Sequence, residues 1–170
     1  MEQTLCQLID FLKEKMPSLS VIDEDYGQLE NIEDEDTDMY PLTFPAVLIE
    51  EAQTEWSDIG QLAQKGTCRL RIRLIVDCYD DTHATSGTTQ AVRERNEMRH
   101  QLHQLLQGTC LGTDAPLIRK SSKFFTWKHG IKVYEMMYEC TVSEMVKETR
   151  TVQKPSLRVK MGVKVQHESL

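Results

Sequence analysis

Glu97, His100 and His103 stand at the spacing E-x-x-H-x-x-H, a pattern of carboxylate and imidazole groups that metal ions accept as ligands. On a helix each three-residue step turns by about 300°, so the trio spreads over about 120° of the circumference. That sector lies opposite Met98 and is expected to meet solvent as ordinary polar surface. Carboxylate-bridged di-metal sites repeat such a motif on facing helices, and this sequence carries it once.

A second group, Asp80, Asp81 and His83, follows a strand end, where catalytic side chains often sit. Beside a helix start, the same residue types serve as turn and capping groups. Ser86-Gly87-Thr88-Thr89 could offer backbone N–H groups to an anion, but the Lys of G-x-x-x-x-G-K-[ST] is missing. There is no G-x-S-x-G. The five cysteines, Cys6, Cys68, Cys78, Cys110 and Cys140, include no C-x-x-C pair, so neither a zinc site nor a disulfide framework is expected. Free Cys in apolar patterns packs as a small hydrophobe, and folding in a reducing cytosol is the reading that follows. The expectation is a chain without catalytic residues, metal or cofactor.

Charge carries more information. Residues 1–66 hold 16 acids against 3 bases, whereas residues 67–170 hold 11 acids against 17 bases. Nine acids and no base fall between Asp23 and Asp38, Asp34, Glu35 and Asp36 among them. Like charges at that density repel, so a solvated surface loop is expected over 23–38. Arg69, Arg71 and Arg73 share one face of a strand, and Arg158, Lys160 and Lys164 alternate with apolar residues near the end of the sequence. Two arrangements follow. The opposite charges either meet inside one fold, or they join identical subunits head to tail, acidic flank to basic flank. On the second arrangement these nine residues form the subunit or partner interface.

The elements that position these groups read as follows. Thr4 to Met16 places Leu5, Leu8, Ile9, Leu12 and Met16 at helical spacing, with Pro17 as its stop. Leu19 to Ile22 is a short strand and Phe44 to Glu51 an inner strand; Glu55 to Gly66 holds turn residues around Trp56. From Thr67 to Asp80 runs a long alternating strand. Cys68, Leu70, Ile72, Leu74, Val76 and Cys78 point one way, and the three arginines, Asp77 and Tyr79 point to a charged, wet side. A helix from Thr89 to Gln107 closes at Gly108 and has Ala91, Met98, Leu102, Leu105 and Leu106 as its inner stripe. Leu117 to Trp127 and Ile131 to Met145 then form a hairpin around Lys128-His129-Gly130. The second of these strands has a partly apolar outer face. A basic extension over 146–170 holds one more strand, which could pair with a sheet edge of its own domain or of a neighbour.

Composition is ordinary for a soluble globular protein, at 39% hydrophobic and 28% charged residues. No apolar run approaches the roughly 20 residues that cross a bilayer. The opening MEQTLCQLIDFLKEK carries acids and a helical period, so export through a secretory signal and contact with a membrane are not expected.

The order helix, acidic loop, FPAVLIEE strand, EWSDIGQLAQKGTCRLRIRLIVDCYD, helix and long hairpin resembles the tail terminator (tail completion) proteins of long-tailed bacteriophages and prophages. Phe44-Pro45-Ala46-Val47, Trp56 to Gly60, Gln64 and Gly66 carry the likeness, which covers roughly residues 1–145. The acidic loop and the basic tail depart from it. The resemblance implies an α+β fold, a mixed and mostly antiparallel sheet with long hairpins and helices packed on one face. It also implies a non-catalytic virion protein, in the host bacterial cytoplasm during assembly. Such a protein forms a ring, usually a hexamer, at the head-proximal end of the tail tube. There it ends tube growth and offers a joining surface to the head-tail connector, with DNA contact only through the ring lumen. Another neck or connector protein, or a non-viral binding module without catalysis, is the alternative.

Overall fold

The computed structural model describes residues 2–32, 42–78 and 89–145. In chain order the elements are α1 (Glu2–Lys15), β1 (Val21–Glu24), β2 (Ala46–Gly60), β3 (Ala63–Val76), α2 (Thr89–Leu106), β4 (Ile118–Thr126) and β5 (Lys132–Met145), with a single 3-10 turn at Lys128–Gly130. Among the described residues five strands make one sheet in the order β1-β2-β3-β5-β4. β1 runs parallel to β2, and every other pair is antiparallel. The fold is thus α+β with a mixed, mostly antiparallel sheet.

Both helices cover the same sheet face because their apolar stripes meet the even-numbered residues of β3. Leu8, Leu12 and Met16 of α1 and Leu102 and Leu106 of α2 join Cys68, Leu70, Ile72 and Leu74 in one core. Met136, Tyr138, Cys140 and Val142 of β5 complete it. Burying each large aliphatic side chain contributes about 1.5–3 kcal/mol. Helix α2 stops at Gly108, whose φ of +83° is the left-handed conformation that glycine adopts without a Cβ clash.

The sequence leads one to expect a wet opposite face. Over half its length that face is instead a second core. Leu29, Ala46, Leu48, Ile75, Ile131 and Val133 are buried there, with Val21, Ile32, Leu42, Phe44, Phe125 and Trp127 packed around them. The cover is supplied by the start of the acidic run. Asp23 and Glu24 belong to β1, and residues 25–32 turn back over the sheet, anchored by buried Leu29 and by the Gln28 amide donating to the Glu24 carbonyl at 2.7 Å. Charge density alone suggests solvent for this stretch, but the apolar residues Leu29 and Ile32 between the acids hold it down. Asp34, Glu35 and Asp36 lie outside the described residues.

The other difference is at 55–66. These are not turn residues around Trp56 but the ends of two long strands, joined by Gln61 and Leu62 alone. Both residues have positive φ, 54° and 61°, as a two-residue type I′ hairpin turn requires. The sequence hides this turn because the usual Asn-Gly signal is absent.

Candidate functional site

Arg69, Arg71 and Arg73 do share one side of β3, and each meets acids of its own chain. Arg73 is 3% exposed and forks onto Glu30, Nη1 donating to Oε1 at 2.5 Å and Nη2 to Oε2 at 3.2 Å, while also pairing with buried Asp25. Arg71 pairs with Glu50 and stands 3.6 Å from Asp25. Arg69, half exposed, lies 3.8 Å from Glu139 and 3.9 Å from Glu55. The ladder therefore grades from a buried ion network under residues 25–32 to a loose surface pair farther out. Burial pulls the Arg73 guanidinium down, but the hydrogen bonds to Glu30 and Asp25 outweigh it and hold the group above the usual arginine range. The same hydrogen bond from Arg73 lowers the Glu30 carboxyl below its ordinary value against the opposing effect of burial.

On α2, His103 does not join Glu97 and His100 on a solvated face. Its Nδ1 lies 2.9 Å from the hydroxyl of fully buried Tyr138. Burial, then the charges of Arg119, His100 and Arg99, lowers its basicity. Burial also pushes the Tyr138 phenol up to about 12. His100 lies 3.1 Å from the Gln104 amide. Among the described residues no three His, Cys, Asp or Glu side chains come together as a metal would need. Asp80, Asp81, His83, Ser86, Gly87 and Thr88 lie outside them, as do Arg158, Lys160 and Lys164.

The surfaces least accounted for by the domain itself are a long arm and a basic edge. β1 pairs with β2 only from Ala46 to Ile49, and β4 pairs with β5 only up to Glu139. Beyond those points β2, β3 and β5 continue as a three-stranded arm. The ten residues Glu51–Gly60 correspond to roughly 33 Å at the usual strand rise. Trp56, Ile59, Leu62 and Met145 are 38%, 59%, 52% and 68% exposed along it. Trp56 faces Gly66 across the β2–β3 pair, with ring carbons 3.0 Å from where a Gly66 Cβ would stand. On the opposite side of the sheet β4 is exposed almost throughout and carries Arg119, Lys120 and Lys123. Exposed Phe124 stacks on Tyr134 at 4.7 Å, and Arg99 lies over the Tyr134 ring at 5.7 Å. Lys120 is held by Glu139 at 3.0 Å.

Reading the sequence for chemistry passes over this arm tip and the β4 edge. The edge was visible as IRKSSKFFT, a strand pattern with three bases and no acid. The tip had no such signal.

No protein-family model and no curated protein matches the chain. Among solved structures it is similar to a chain of the "Virion of native gene transfer agent (GTA) particle", at 11% identity and a TM-score of 0.48, over 82% of this chain and 94% of that one. A likeness at that level carries no inference about function. Among the described residues no helix is long and apolar enough to cross a membrane.

Proposed function

We propose that this chain is a non-catalytic structural subunit of a phage-like virion. In this reading it assembles as a ring on the head-proximal end of a tail tube, ends tube growth there and presents a joining surface to the head-tail connector. The observation that carries the assembly part is Leu62. It is 52% exposed and sits at φ +61°, where a branched side chain costs about 1–2 kcal/mol relative to glycine. A hairpin with nothing to touch is better served by Asn-Gly on both counts. An apolar side chain held out at the end of a roughly 33 Å arm, with Ile59 and Trp56 behind it, is suited to a contact with another subunit.

The placement at a tail end rests on the resemblance in residues 44–66 and on the order of one helix, an inner strand, a long alternating strand, a second helix and a hairpin, which that family implies. The test is to mix purified chain with assembled tail tubes. Electron microscopy should show density at one tube end, and further tube monomer should fail to extend capped tubes. Tubes that keep growing, with the added chain left free in solution, reject the reading.

A further inference from the structure

We propose that a second copy of this chain docks edge to edge, the open edge of β4 pairing with the open edge of the β2 arm in the next subunit. The inference rests on the self-assembly reading above and names the contact that would join the copies. Two observations carry it. First, among the described residues each side of the sheet has a stretch of backbone with no strand beyond it. β4, nine residues from Ile118 to Thr126, is the last described strand on one side. On the other side β1 ends at Glu24, opposite Ile49, so among the described residues the stretch Glu51–Gly60 of β2 has no outer neighbour. An exposed row of N–H and C=O groups is a template for another strand. The two stretches match in length.

Second, their charges are opposite. The β4 edge carries Arg119 and Lys123, and the β2 edge carries Glu51, Glu55 and Asp58. Each edge bears charge on both faces of the sheet. Arg119 is in register with Tyr138 and Glu51 with Leu70, both residues of the helix-covered face; Lys123 is in register with Glu135 and Glu55 with Thr67, on the other. Like edges therefore repel, β4 against β4 and β2 against β2, and only the unlike pairing is favoured. Three antiparallel steps separate β2 from β4, so the strands run in opposite directions. A neighbour with its faces aligned would thus meet β4 antiparallel to β2. A contact between two different patches is head to tail and closes into a ring when the rotation allows.

The test exchanges charges. One variant carries Glu51→Lys and Glu55→Lys, which makes both edges basic; the other carries Arg119→Glu and Lys123→Glu, which makes both acidic. Light scattering should find wild type at a multiple of 19.7 kDa, each variant alone at 19.7 kDa, and an equimolar mixture of the two restored to the wild-type mass. Restoration also proves that each variant is folded. Variants that assemble alone as wild type does overturn the edge contact and leave the ring reading standing. A mixture that stays monomeric, or a wild type that is monomeric at every concentration, also overturns it. The tube-capping experiment is independent of all these outcomes.

Discussion

Arg73 and Asp25 form an ion pair with both side chains out of solvent, 3% and 2% exposed, across 48 residues of sequence. The pair clips the start of the acidic run onto the outer face of the sheet. Its contribution is conditional. Two buried charges recover their desolvation cost only while both are present, so losing one partner is worse than losing both.

Arg73→Ala should accordingly destabilise the chain by about 3–5 kcal/mol, read as a shift in the urea midpoint, because it leaves buried Asp25 with Arg71, 3.6 Å away, as its nearest guanidinium. Arg69→Ala, at the exposed end of the same ladder, should cost under about 1 kcal/mol, because its partners are 3.8 and 3.9 Å away and solvated. Equal effects at the two positions would contradict the gradient.

Acid should weaken the fold in two stages. His103 has a folded pKa below its ordinary 6.5, so the unfolded chain takes up the proton first. Stability is full above 6.5 and falls as pH drops from there through the folded value. Glu30 follows the carboxylate rule: its folded pKa is lowered from 4.5, and its contribution is lost as pH falls below 4.5. Urea midpoints against pH for wild type, His103→Gln and Glu30→Gln should separate the two, each variant flattening its own step.

How much of this was legible beforehand depended on whether a residue's neighbours in sequence were also its neighbours in space. The stripes Leu8-Leu12-Met16 and Leu102-Leu106 and the alternation from Cys68 to Leu74 announce one core, because periodicity reports which residues share a face. Periodicity does not report what covers the other face. Arg73 looks like Arg69 in the sequence, and only the fold-back of Leu29 and Ile32 makes one buried and the other wet. His103 misled for a related reason. It lies next in sequence to buried Leu102, on the border of the inner stripe, close enough to reach Tyr138 from another element.

Gly66 should be intolerant of a side chain. A Cβ there would stand 2.8 Å from the Thr54 Cγ2 and 3.0 Å from the Trp56 ring, inside contact distance of both. Gly66→Ala should cost about 1–3 kcal/mol. Adding Thr54→Ser, which removes the closer methyl, should recover part of that loss. A neutral Gly66→Ala in thermal unfolding would mean that Trp56 does not lie over Gly66.

The hairpin tip should show stability and assembly moving in opposite directions. Replacing Gln61-Leu62 with Asn-Gly supplies the residues that a turn with two positive φ values favours and removes an exposed apolar side chain. The isolated chain should gain about 1 kcal/mol in urea denaturation. If Leu62 points outward in order to touch another subunit, the same double variant should lose tube capping. If capping survives while stability rises, the tip is simply an unfavourable turn, and the contact must lie farther back along the arm, at Trp56 or Ile59.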